Sequence, residues 1–302
     1  MGTGGVGGYF GARLACAGIN VTFISRGENL EAMQNVGLKI ESANGDINLY
    51  PVKATDAPVD IGPVDYVLFT TKLWDTEAAG EAIRPLMGAQ TAVVSLQNGV
   101  DPERRLSKIL GREHVMGGLA QIGAVIAAPG VIRHTGTMAR VVFGELNGQS
   151  TPRSKSLLTA FRNAEVDADI SENIEKAIWE KFVFLVGLSG ITSVTRRSIG
   201  PLRDDADCRS LLTRVMLETI AVARANGIDI KDKYVEDRLA FIDSLPAEMT
   251  SSMHQDLERG KRLELDWLSG AVRRMGYEYG LETPANNFIF TALKLSAAGK
   301  TG

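Results

Sequence analysis

The chain opens on Gly2-Thr3-Gly4-Gly5-Val6-Gly7, a G-x-G-x-x-G pattern that leaves few folds open. In a strand-turn-helix unit, the first glycine permits a tight turn. The second lets the backbone approach a pyrophosphate, and the third lets the helix sit close to the sheet. The stretch Tyr9–Ala17 reads as that helix, and Val21-Thr22-Phe23-Ile24 as the strand after it. The helix would point its free N–H groups at the phosphates. A glycine turn without a ligand is the competing reading, and the order of helix and strand favours the dinucleotide. Gly2, Thr3, Gly4, Gly5, Val6 and Gly7 are therefore the expected cofactor-binding loop. Only Met1 precedes it, whereas the fingerprint follows an apolar strand. The first strand is thus expected to be truncated to a stub, with a few further residues upstream of Met1.

The residue type after the second strand selects the dinucleotide. An acidic residue there accepts from a ribose 2′-OH, whereas a guanidinium forms charge-assisted bonds to a 2′-phosphate. The chain carries Ser25-Arg26, so Arg26 favours NADP(H) over NAD(H), with a solvated arginine as the alternative. Two more loops lie at expected strand C-termini, Thr70-Thr71-Lys72-Leu73 and Gln97-Asn98-Gly99-Val100. Lys72 could reach anions of cofactor or substrate, or be a plain surface lysine. Asn98 could orient an amide or a carbonyl, or merely make an Asn-Gly turn.

At roughly 150 residues per domain, the 302 residues suggest two domains. The first half alternates near-continuous apolar runs (66–71 and 91–96) with helical stretches (75–86 and 102–110), the pattern of a parallel sheet covered on both faces. Val131–His134 and Arg140–Glu145 read as a strand pair joined by Thr135-Gly136-Thr137. A helix over 150–164 and a strand over 166–170 follow. From about Glu172 the texture becomes helical: 172–194, 209–225, 235–244, 249–275 and 283–297. The expected architecture is α/β: a Rossmann-type dinucleotide-binding domain over 1–171, then a mostly α-helical substrate domain over 172–302. The tail 297–302 is expected to fray.

Composition narrows the function. With 33 basic against 36 acidic residues and a net charge of −3, the chain lacks the basic excess of a nucleic-acid binder. Two cysteines make no disulfide framework, and no cysteine or histidine cluster has metal-ligand spacing. No apolar run approaches the roughly 20 residues of a membrane helix, and no secretory signal is visible. A cytoplasmic protein without metal, nucleic-acid or membrane partners is expected.

In the helical half, Lys181 interrupts an apolar helix, Ala177-Ile178-Trp179-Glu180-Lys181-Phe182-Val183-Phe184-Leu185. It either snorkels to the surface or faces a cleft, where burial would lower its pKa. On the expected 249–275 helix, Ser252, Asp256, Gly260 and Glu264 follow one another at i+4 on a drifting stripe. A mid-helix Gly260 suggests close approach of something. For Asp256, Glu258 and Arg262 a surface laced with ion pairs is the better reading, and His254 reads as a half-exposed helix residue.

Together, Gly2–Gly11, Lys72, Gln97-Asn98-Gly99, Trp179-Glu180-Lys181, Ser252-Met253-His254-Gln255-Asp256, Glu264 and Gly280-Leu281-Glu282-Thr283-Pro284 resemble the ketopantoate reductase (2-dehydropantoate 2-reductase) family along the whole chain. The resemblance implies an NADPH-dependent reductase of a 2-oxo acid, 2-dehydropantoate first, in pantothenate biosynthesis. It implies Lys181 as general acid, and Asn98 and Glu264 near nicotinamide and substrate. Ser252 would bind substrate, with Ser189 a second hydroxyl for its carboxylate, while Lys72 and Ala124 would approach the cofactor. The chain departs where well-known members carry asparagines: here stand Leu185, Ser189 and Ile199. That favours a more apolar 2-oxo acid as the alternative substrate. A non-catalytic NADP(H)-binding redox sensor is the reading from another class, opposed by the presence of Lys181 and Glu264. A homodimer through the helical half is a further expectation.

Overall fold

Glycine placement decides where the first helix starts. Gly2 adopts φ +92°, and Gly4 caps α1 (Gly5–Cys16). In chain order there follow β1 (Phe23–Ile24), α2 (Gly27–Val36), β2 (Leu38–Glu41), β3 (Ile47–Leu49), β4 (Ala54–Thr55), β5 (Tyr66–Phe69), α3 (Thr76–Ala82), β6 (Ala92–Ser95) and α4 (Pro102–Leu110). Then come β7 (Val115–Ala128), β8 (Val131–Glu145), α5 (Pro152–Asn163), β9 (Asp167–Ile170), α6 (Ile174–Thr195), α7 (Ile199–Asp204), α8 (Ala206–Ala225), α9 (Lys233–Ser244), α10 (Ser252–Glu258), α11 (Ser269–Glu278) and α12 (Pro284–Leu293). This computed structural model describes residues 1–231 and 233–300. The chain divides into one unit over 1–177 and a second from Ile178 on. The division falls inside α6, later than residue 171.

In the first unit β5, β6 and β7 run parallel, and β7 turns back into the long antiparallel β8. Strand order is β3-β2-β8-β7-β6-β5, with β9 also on β8. The parallel pair β1–β4 stands apart as its own two-stranded sheet. Between β1 and β5 lies the start of the chain. The Met1 nitrogen donates to Leu68 O at 2.8 Å, and Thr70 N–H donates to Met1 O at 2.9 Å. On the other side Gly2 and Thr3 N–H both donate to Ile24 O, at 3.2 and 3.0 Å. Met1 thus bonds to Leu68 and Thr70 at the end of β5, and Gly2 and Thr3 bond to the end of β1.

The period of two buries the sheet on both faces. Ala92 and Val94 join a cluster with Tyr9 and Phe10 of α1 and Phe161 of α5. Val93 between them joins Val67, Phe69, Ile83 and Leu106 on the opposite face. Phe10 and Phe161 are wholly buried, their rings edge to face at 6.3 Å. Each such side chain contributes about 1.5–3 kcal/mol by leaving water. Glu103, in the first turn of α4, is buried, and this pushes its carboxyl up to about 8, against hydrogen bonds from the backbone of Gly118 and its own N–H.

The second unit is helical. A Cβ on Gly187 would meet Met216 at 2.9 Å, and one on Gly190 would meet Ile289 at 2.7 Å, so these glycines let α8 and α12 approach α6. Glu218 of α8 accepts from the N–H groups of Ala285 and Asn286, holding the start of α12.

Four expectations need correction. First, 131–134 and 140–145 are not partners but parts of the single strand β8, whose partner is β7. Second, 249–275 is not one helix. Gly260 takes φ +64°, and Lys261 N–H returns to Asp256 O at 2.8 Å, which ends α10 as a left-handed cap does. The i+4 stripe therefore breaks before Glu264. Third, residues 297–300 do not fray. Leu263 N–H donates to Ala297 O, and Lys300 N–H donates to Gly260 O. A Cβ on Gly260 would stand 3.0 Å from the Lys300 side chain, which is the close approach the glycine serves. Residues 301 and 302 of that tail lie outside the described residues. Fourth, α6 is long and apolar enough to cross a membrane by length and composition, but 67% of that window is buried inside the protein, as in a core helix.

Candidate active site

The glycine loop has an open side and a crowded side. A Cβ on Gly4 would meet nothing within 4 Å. One on Gly5 would stand 2.1 Å from Ala124 O, and one on Gly7 2.3 Å from Thr70 Oγ1 and 2.6 Å from Gly2 O. Gly5 and Gly7 are thus set by close packing, Gly4 by open space. No side chain caps α1 and its first turn holds no acidic residue, so the positive end of the helix dipole faces that space uncompensated. A pyrophosphate fits this cradle. Ala124, on β7 opposite His134, lies directly against Gly5. The Thr3 hydroxyl and its N–H both donate to Ile24 O at 3.0 Å, which ties the loop to β1.

Asn29 on α2 was not foreseen. Its Nδ2 donates to Thr3 O at 3.1 Å and to Ser25 Oγ at 2.9 Å, and its Oδ1 accepts from Gly130 N–H at 2.9 Å. One amide therefore joins the glycine loop, the end of β1 and the β7–β8 turn. Beside it, Arg26 is the first residue before α2, with its side chain 75% exposed. Its guanidinium lies 3.7 Å from the Asp75 carboxylate.

The loops after β5 and β6 are joined by a second amide, Gln97, which the sequence marked as part of its loop without assigning it a role. Its Nε2 donates to Thr71 O at 3.0 Å and to Thr76 Oγ1 at 2.9 Å. Its Oε1 is buried with no partner among the described residues. Gln97 sets the register between the turn bearing Lys72 and the turn bearing Asn98. The Lys72 ammonium lies 5.7 Å from the centre of the Trp74 ring. Asn98 is half-buried, followed by Gly99 at φ +89°. The sequence signal for both amides was weak: a polar residue in a βα loop or on a short helix, with partners far along the chain.

In the second unit, Lys181, Leu185 and Ser189 lie at i, i+4 and i+8 on one stripe of α6. Lys181 and Leu185 are half-buried. Ser189 is wholly buried, and its hydroxyl has no partner among the described residues. Ile199, at the start of α7, is wholly buried. Glu264, 6% exposed, stands just before a short 3-10 turn. Ser252 opens α10 and is exposed; its neighbour Ser251 caps the helix by accepting from His254 N–H, with its hydroxyl 3.0 Å from Thr192 Oγ1. His254 is buried, not half-exposed. Its Nδ1 lies 2.7 Å from Thr192 O, a bond that ties α10 to α6. Among the described residues no group of three or more His, Cys, Asp or Glu is arranged to hold a metal.

A dinucleotide cradle on a Rossmann-type sheet, followed by a helical unit with a half-buried lysine, defines a dinucleotide-dependent oxidoreductase of the α/β class. The family model "Ketopantoate reductase PanE/ApbA" matches residues 1–148, and its C-terminal counterpart matches 173–297. The chain belongs to the ketopantoate reductase family. Its members are oxidoreductases acting on CH-OH and C=O groups, which supports reduction of a 2-oxo acid. An uncharacterized oxidoreductase, YkpB of Bacillus subtilis, is 30% identical over 99% of this chain and 98% of its own. The crystal structure of 2-dehydropantoate 2-reductase from Geobacter metallireducens is 34% identical, covers 98% of each chain and has a TM-score of 0.92. A D-mandelate dehydrogenase solved with NADH and anilino(oxo)acetate, 22% identical over 98% of this chain and 96% of that one, shares the fold at a TM-score of 0.89.

Proposed function

We propose that the chain reduces a 2-oxo acid to a 2-hydroxy acid with NADPH, and that 2-dehydropantoate is its first candidate substrate, in pantothenate biosynthesis. The observation that carries this reading is the open cradle at Gly4 with the Arg26 guanidinium at the end of the adjoining strand. Gly2, Thr3, Gly4, Gly5, Val6 and Gly7 would hold the pyrophosphate, Arg26 the 2′-phosphate and Asn98 the nicotinamide, while Lys72 and Ala124 would approach the cofactor. Bound NADPH would supply the hydride. Hydride arrival leaves negative charge on the carbonyl oxygen. The Lys181 ammonium stabilises that charge and gives it a proton from Nζ. Glu264 would hold the lysine or a ribose hydroxyl. Asn98 orients the carbonyl, and Ser189 and Ser252 offer hydroxyls to the substrate carboxylate.

A second reading, a more apolar 2-oxo acid, is favoured by Leu185 and the wholly buried Ile199. The fold also carries a D-mandelate dehydrogenase. The test is NADPH oxidation against a panel of 2-oxo acids that includes 2-dehydropantoate and apolar analogues. Turnover best with 2-dehydropantoate supports the first reading, and a better apolar acid supports the second. Tight NADPH binding with turnover on none would make the chain a redox sensor. The same reading carries a cytoplasmic, homodimeric enzyme whose partners are small molecules.

A further inference from the structure

We infer that Asp75 is a second determinant of dinucleotide choice, sharing the adenosine-ribose subsite with Arg26 and narrowing the preference for NADPH over NADH. The inference rests on the reading of Arg26 as the 2′-phosphate ligand. Asp75 occupies the residue before α3, where an aspartate ordinarily accepts from the helix N–H groups. Here its side chain makes no such bond. Its carboxylate instead lies 3.7 Å from the Arg26 guanidinium, 37% exposed.

The backbone that presents Asp75 is held from several sides. Asp75 N–H donates to Lys72 O at 2.9 Å. Gln97 fastens Thr71 on one side of the turn and Thr76 on the other. Arg105 donates to Leu73 O at 2.9 Å. The backbone that carries Asp75 is therefore held beside the arginine, on a turn that also carries Lys72.

Two chemistries meet at this pair. A 2′-phosphate drawn to Arg26 brings a dianion close to a carboxylate and takes the arginine from it. The like charges repel, more so at low ionic strength. A 2′-hydroxyl suffers no such cost and donates to a carboxylate, the arrangement by which acidic residues hold NAD. Arg26 thus favours NADPH while Asp75 opposes that choice and supports NADH.

The test is direct titration of the full chain with NADPH and with NADH, following nicotinamide fluorescence, for wild type, Asp75→Asn and Arg26→Ala. Asp75→Asn keeps the shape and removes the charge. It should raise the ratio Kd(NADH)/Kd(NADPH) by about tenfold, and more at low salt than at high. Arg26→Ala should lower that ratio by about 10- to 100-fold. An unchanged ratio in Asp75→Asn, with the ratio lowered in Arg26→Ala, overturns the role of Asp75 and leaves that of Arg26 standing. An unchanged ratio in Arg26→Ala overturns the reading beneath both. Asp75→Ser, which also removes the charge and suits the residue before a helix, serves as the second variant if the asparagine form unfolds, and the same ratio decides.

Discussion

Adjacent glycines in the first loop do opposite work. A methyl group on Gly4 enters the space proposed for a phosphate and meets nothing within 4 Å, whereas one on Gly5 collides with the Ala124 carbonyl. Gly4→Ala should therefore melt at the wild-type temperature without cofactor yet bind NADPH at least tenfold more weakly. Gly5→Ala should lose stability before any ligand is added, by about 1–3 kcal/mol, the cost of an overpacked site. Thermal melts with and without NADPH separate the two, and equal behaviour of the variants would contradict this division. These glycines were legible in the sequence through their G-x-G-x-x-G spacing ahead of a helix. Asn29 and Gln97 were not, because their roles are defined by partners such as Gly130 and Thr71, which only the folded chain brings near.

At the scale of elements, periodicity succeeded where side chains alternate and failed where glycine intervenes. β5 and β6 stood out as apolar runs. β7 did not, since Gly117, Gly118 and Gly123 dilute its β-branched content. Those glycines are required: a Cβ on Gly118 would stand 2.6 Å from Ser95 O, and one on Gly117 2.9 Å from Ile174. The supposed helix over 249–275 failed for a related reason, since nothing in a helical spacing announces that Gly260 will turn left-handed. Helix α4 offers a test through Glu103. Its folded pKa of about 8 exceeds the ordinary carboxylate value of 4.5, so between those values the folded state holds a proton that the unfolded state has released. The contribution of this group to stability is therefore full below pH 4.5 and lost as pH rises to about 8. In urea titrations, wild-type stability minus that of Glu103→Gln should fall with rising pH by up to about 1.4 kcal/mol per pH unit. A difference that stays flat or rises across that range would mean the carboxyl is ionised inside the fold.

For the whole molecule, the proposed function divides the labour between the two units. The residues assigned to the dinucleotide, apart from Glu264, lie in the first, and Lys181 lies in the second. Lys181→Ala should lower kcat by about 10²–10⁴-fold. NADPH should still raise the melting temperature of the variant as it does that of wild type, since binding to the native state stabilises it by mass action. A near-normal kcat in a folded variant would leave the lysine a surface role only. The two-part architecture was legible from the change of texture near Glu172. The end of the first unit inside α6 was not, because a helix that runs through the division carries no break in its pattern.

The split sheet has a consequence for how the molecule responds to its cofactor. Among the described residues β1 and β4 pair with each other over two residues each, and the bonds of Met1–Thr3 and the amide of Asn29 link them to the rest of the first unit. With two paired residues each, β1 and β4 should exchange their amide hydrogens with solvent ahead of the wholly buried β6. Arg26 stands at the corner that β1 and β4 form. Under the proposed role of Arg26, ordering this corner around an adenosine ribose would cost conformational entropy, so local order at β1 would weigh on cofactor affinity beside charge.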